Sequence, residues 1–288
     1  MTIGAAFKCG EGIVLCADSQ ETIGELKIDV PKLLIRPSNG SDNDNIRTVF
    51  VGAGSGPLID KLADELWKAA KQSGGESLSD AIGSMQDCLL EWHRKIISAY
   101  TPQRKPEAEL LIGICCKDGF GLYKSVGPII NKVESYEIVG IGEILGKYLS
   151  DQTYRHAGSL YELTMIGLYV VANANKYVDG CGGDIHLAWI RIDGSIEIMK
   201  PYETRAISEG LLSIADDLHY LLLQAGTFRP GKTYIAELLE GIKKTVIDTR
   251  KEIGTTLRAS EFFKKKLLRP PKYKLETMYR RIEWPPFA

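Results

Sequence analysis

Thr2, Asp18 and Lys32 are the residues of this sequence whose types and spacing could do chemistry together. A threonine at the start of a chain acts as a nucleophile when its own α-amine, ordinarily of pKa about 8, serves as general base for its hydroxyl. The amine must be free, because while Met1 stays attached the nitrogen of Thr2 is an amide without basicity. Removal of an initiator methionine before a small second residue is expected, so Thr2 is read as the mature N-terminus and Met1 as its whole leader. A carboxylate at Asp18 would orient the hydroxyl. An ammonium at Lys32 would keep that carboxylate ionised and depress the amine's pKa by like-charge proximity. Taken singly, Asp18 reads as a turn residue bonding nearby backbone, and Lys32 as an edge charge on a strand.

The elements that must position these groups begin at once. The runs TIGAAFK and GIVLCA flank Gly10-Glu11-Gly12 and predict a β-hairpin. A three-residue loop pairs Cys9 with Ile13 and Gly4 with Asp18, which points Thr2 and Asp18 the same way. A two-residue loop shifts the register by one and leaves Thr2 on the other face. The glycine ending the loop favours the first. VPKLLI resumes a strand at Lys32, and after the polar loop 38–44 the run TVFVGAG leads into GPLIDKLADELWKAAKQ. There Leu58, Ile59, Leu62, Leu66 and Ala69 form an apolar helical stripe.

A second helix is predicted over 77–100, with Ser79 and Asp80 as caps and Trp92 on its apolar face; His93 falls on the polar face. Strands AELLIGICCKD, GFGLYKSVG and SYEIVGIG follow, then helices GEILGKYLSDQ and SLYELTMIGLYVVANANKYV. The closing strands DIHLAWIRI and SIEIMK are joined at Asp193-Gly194, read as a two-residue turn. Strands and helices in segregated blocks predict an α+β fold: two antiparallel sheets face to face, covered by helix layers. Beyond about Pro201 only helical runs and a proline-bearing basic tail remain, so residues 1–204 are read as one domain and 205–288 as a C-terminal extension.

Composition narrows the class. The net charge of −1 conceals a tail, residues 261–288, with eight Lys/Arg against three Asp/Glu, net +5, which leaves 1–260 at −6. A mildly acidic body argues against nucleic acid as partner, and the tail FFKKKLLRPPKYK reads as a docking arm for a neighbouring subunit. Six scattered cysteines without CxxC spacing suit a reducing compartment. With no secretory or membrane-length apolar run, a soluble cytoplasmic protein is expected, with no membrane partner. Nothing shows metal-ligand spacing, and GAGSG lacks the Lys-Ser/Thr of a phosphate loop, so no cofactor is expected. Cys181 with His186 could form a Cys–His dyad, but His186 falls within a strand.

Thr2-Ile3, GIVLCADSQET, PKLLI and VFVGAGSG opening a helix together resemble the proteasome β-type subunits and their bacterial relatives, the HslV and Anbu peptidases. The resemblance covers roughly 2–200 and is most specific over 2–70. It implies the N-terminal nucleophile (Ntn) hydrolase fold, a four-layer αββα sandwich, and a threonine-type peptidase in a homo-oligomer, ring or helical, acting on peptide or unfolded protein. An unfoldase partner is neither implied nor excluded. By the same resemblance Thr2 is the catalytic threonine, Asp18 its aspartate and Lys32 its lysine, with Lys27 as a substitute. Gly52 supplies the oxyanion-hole N–H, and the backbone of Thr22 and Gly54 lines an extended substrate. Two departures stand out: in GIGEI, Ile141 takes the place of a serine, and VDGCGGD keeps Asp179 while Cys181 replaces a serine. They leave open a catalytically inactive structural subunit, or an amidohydrolase acting on small amides.

Overall fold

Strands β1 (Ile3–Cys9) and β2 (Gly12–Asp18) form the hairpin the sequence predicts, and nearly every residue in them is buried because both faces are covered. The structure, a computed structural model, describes residues 2–23, 26–37, 45–101, 106–154, 158–225 and 232–259. Met1, the polar loop 38–44 and the basic tail 261–288 lie outside the described residues. The hairpin register is Cys9 opposite Gly12 and Gly4 opposite Ala17, so the loop is Gly10-Glu11 and the three-residue reading is corrected. The physical reason lies at Gly12: its φ is 150°, and a Cβ there would meet the Ile190 carbonyl at 2.1 Å. Glycine is needed for a neighbouring strand, and the turn does not use it.

After a small hairpin, β3 (Gln20–Ile23) and β4 (Leu26–Asp29), come β5 (Leu33–Arg36) and β6 (Arg47–Gly54). Helices α1 (Gly56–Gln72) and α2 (Leu78–Lys95) follow, then β7 (Ala108–Cys116), β8 (Gly119–Val126), β9 (Ile129–Val133) and β10 (Tyr136–Gly140). Helices α3 (Glu143–Thr153) and α4 (Leu160–Tyr177), strands β11 (Ile185–Arg191) and β12 (Ile196–Met199), and helices α5 (Pro201–Ala225) and α6 (Lys232–Ala259) complete the order. One antiparallel sheet runs β10-β1-β2-β11-β12 and the other β5-β6-β7-β8-β9.

Alternation along the strands builds three apolar seams. Ala6, Ile13, Leu15 and Ala17 face Val49, Val51 and Leu111 across the two sheets. Ile3, Phe7 and Cys16 pack under α3 and α4 through Leu149, Leu163 and Val170. Phe50, Leu110 and Ile112 pack under α1 and α2 through Leu62, Leu66, Met85 and Leu89. The result is helix on sheet on sheet on helix, the four-layer sandwich. Fully buried side chains such as Phe7 and Phe50 each contribute on the order of 2–3 kcal/mol by leaving water.

Several local expectations change. The α1 stripe turns toward Ala63 and Ala70 and leaves Leu58 and Ala69 half-buried. Ser77, one residue outside α2, caps it by accepting the Asp80 N–H, in place of Ser79 and Asp80. The Asp193-Gly194 turn is a three-residue loop, since the Arg191 N–H donates to the Ser195 carbonyl and Gly194 takes φ 77°. The division at 204–205 falls inside α5, whose Thr204 donates to the Ile185 carbonyl and whose Ile207 is wholly buried in the core. Among the described residues no helix is long and apolar enough to cross a membrane.

Candidate active site

Asp18 ends β2 with no exposed surface, and a carboxylate placed there must be fully paired. Its Oδ1 accepts the Thr2 hydroxyl at 2.8 Å, the Ile3 N–H at 3.0 Å and the Lys32 ammonium at 2.8 Å; Oδ2 accepts the Gly182 N–H at 3.2 Å. Thr2 therefore meets Asp18 although the register is the one expected to separate them. The carboxylate lies at the open end of the β1–β2 pair, where the Ile3 N–H and the Thr2 hydroxyl reach one oxygen together.

Lys32 follows Pro31 at the entry to β5, with 11% of its side chain exposed, and its Nζ also donates to the Gln20 carbonyl at 2.5 Å. The lysine thus ties the start of β3 to Asp18. Lys27 lies in β4, all of whose residues are exposed, so Lys32 and not its substitute fills the site.

On the other side of Thr2, Gly140 of β10 stands opposite Ile3 with φ 92°, and a Cβ on it would meet the Thr2 carbonyl at 2.2 Å. The chain turns there through Ile141, 48% exposed, into α3. Thr2, Gly140 and Ile141 share a cleft of about 740 Å³ with Ala53, Gly54, Glu107, Glu109 and Glu143, and with Leu62, Trp92 and His93. That volume suits a ligand of a few residues.

Not every expected site residue joins them. Gly52 is absent from this lining: it sits within β6 opposite Leu110, where a Cβ would meet Ile59 Cγ2 at 2.3 Å. Gly54, two residues on, lines the cleft; its φ is 123°, and a Cβ would meet the Glu107 carbonyl at 2.1 Å. Thr22 lies in β3 opposite Lys27, its Oγ1 buried with no hydrogen-bond partner among the described residues. Asp179 is exposed in the turn after α4. What that segment brings to Asp18 is the Gly182 N–H, with Cys181 buried beside it. Burial pushes the Cys181 thiol up to about 11, the Asp18 charge adding to the effect and Lys32 opposing it, so it stays protonated and inert. His186 lies in β11 opposite Ala17. His93, expected on a polar face, is half-buried and lines the cleft.

Four contributors were not read from the sequence. The glycine clusters GIG and GCGG were the visible signal for Gly140 and Gly182; nothing marked Glu107 or Glu109. Among the described residues no group of three His, Cys, Asp or Glu could hold a metal ion.

Solved structures share this arrangement of layers. The fold is that of Anbu. An Anbu mutant designated Gly-1 from Hyphomicrobium sp. strain MC1 superposes with a TM-score of 0.63 at 15% identity, covering 80% of this chain and 100% of that one. Anbu, described as an ancestral beta-subunit, from Yersinia bercovieri gives 0.62 at 14% identity over 80% of this chain and 100% of its own. A second Anbu structure from the Hyphomicrobium strain gives 0.59 at 14% identity. No family model and no curated protein matches the chain. The proteasome-like fold expected from Thr2, GIVLCADSQET and VFVGAGSG is thus present, at an identity where fold alone is shared.

Proposed function

We propose that the protein is a threonine-type peptidase of the proteasome-like group, with Thr2 as its nucleophile once Met1 is removed. The observation that carries this reading is the bonding of the Thr2 hydroxyl, in the lining of a cleft, to a fully buried carboxylate that is itself paired with Lys32. The Thr2 hydroxyl attacks the substrate carbonyl while the Thr2 amine takes its proton and then returns it to the leaving amine. The resulting ester is hydrolysed by water, with the same amine as base. Asp18 and Lys32 hold the hydroxyl and supply the local field. Gly54 takes the oxyanion-donor role first read at Gly52, because Gly54 lines the cleft with Thr2. Large exposed apolar side chains, among them Ile144, Tyr148, Leu222 and Leu223, support self-assembly.

Ile141 at the rim and the exposed Asp179 favour a second reading, a structural subunit without turnover. Turnover of a mixed peptide library separates the two. Cleavage by the wild type and none by Thr2→Ala, with assembly unchanged, is expected; equal product from both would overturn the peptidase reading.

A further inference from the structure

The cleft beside Thr2 is unevenly charged. Glu107, Glu109 and Glu143 line it, against a single basic side chain among the described lining residues, His93. Glu143 is balanced locally: its Oε1 accepts Lys147 at 2.7 Å and stands 3.9 Å from Lys124. Glu107 and Glu109 form no ion pair among the described residues. Their place is fixed by backbone, since Glu109 stands opposite Ala53 and the Glu107 carbonyl accepts the Ser55 N–H at 3.0 Å. Both are thereby held beside the end of β6 that shares the cleft with Thr2. Arg104 and Lys105, which precede this segment in sequence, lie outside the described residues.

An anionic substrate side chain would meet two like charges here, whereas a cationic one would meet two opposite charges.

We infer that the cleft selects substrates with a lysine or arginine side chain close to the attacked carbonyl. Glu107 and Glu109 determine the specificity. The inference rests on the reading of Thr2 as an amide-cleaving nucleophile, and its test is kept separate from turnover. Equilibrium binding to the Thr2→Ala protein is measured for blocked tripeptides that differ only in a central arginine, norleucine or glutamate. The arginine peptide is expected to bind at least about tenfold tighter than the glutamate one, and the ratio to shrink by about that factor in Glu107→Gln/Glu109→Gln. Equal or reversed affinities, no binding of any peptide, or a ratio unchanged in the double variant would each overturn the inference. If the double variant does not fold, salt decides: arginine-peptide affinity that does not fall with ionic strength in the Thr2→Ala protein is equally fatal. Wild-type protein that shows the binding ratio but cleaves no peptide would retire the hydrolase reading and leave the preference standing.

Discussion

Replacing Lys32 with methionine keeps most of the apolar stem and removes the charge that faces Asp18. The two groups are 2.8 Å apart, Asp18 has no exposed surface and Lys32 has 11%. At an effective dielectric of about 20, the attraction across that distance is about 6 kcal/mol before the cost of desolvating both ions. Removing one partner of such a pair strands the other, and the loss is typically about 3–5 kcal/mol. Three donors stay on Asp18: the Thr2 hydroxyl and the Ile3 and Gly182 N–H groups. The expected loss therefore lies at the low end, about 3 kcal/mol, or a melting point lower by roughly 6–12 °C for a chain of this size. Urea unfolding at pH 7 followed by circular dichroism measures it. Combining Lys32→Met with Asp18→Asn removes both charges, and the double variant is expected to be more stable than the sum of the single losses implies. A loss below about 0.5 kcal/mol for Lys32→Met would refute the buried pair and, with it, the electrostatic support of Thr2.

Gly140→Ala would force a methyl group to within 2.2 Å of the Thr2 carbonyl at φ 92°, so a loss of about 1–3 kcal/mol is expected, together with weaker labelling of Thr2 in the folded protein; unchanged stability and labelling would show that Gly140 does not set the position of Thr2. Glu137 feels burial pushing its carboxyl up, but hydrogen bonds from Lys147 and the Ile138 N–H and the charges of Lys124 and Lys147 hold it below the ordinary glutamate value. A depressed carboxylate stabilises the fold above its unfolded pKa, and that contribution is lost as pH falls through the folded one. Wild-type stability is therefore expected to decline below about pH 4.5 more steeply than that of Glu137→Gln, and parallel unfolding curves between pH 6 and 3 would contradict this.

The helices and most long strands were legible because period alone marks them: Met85, Leu89 and Trp92 on α2 recur at helical spacing and are buried. Both hairpin loops were misread in opposite directions. In each a glycine invites a local explanation, yet Gly12 answers to the Ile190 carbonyl on β11, a contact from the far end of the domain that no local pattern reveals. Gly52 and Gly54 in VGAG look alike in sequence and differ only in three dimensions, one making room for Ile59 and the other turning past Glu107. The three chemical residues, Thr2, Asp18 and Lys32, were readable because each ends or begins an apolar run, which is where a strand-borne side chain can leave the core for a site. Glu107 and Glu109 had no such marker; the ends of β6, β7 and α2 bring them to Thr2, and that meeting exists only in the fold.

The central claim is that Thr2 carries a free amine and a reactive hydroxyl. Intact mass of the purified protein before and after treatment with a peptide epoxyketone or β-lactone, with the adduct mapped by peptide sequencing, tests it directly. The expected result is a chain lacking Met1 that takes up one equivalent of probe on Thr2 and none in Thr2→Ala. A chain that retains Met1 and forms no adduct would contradict it.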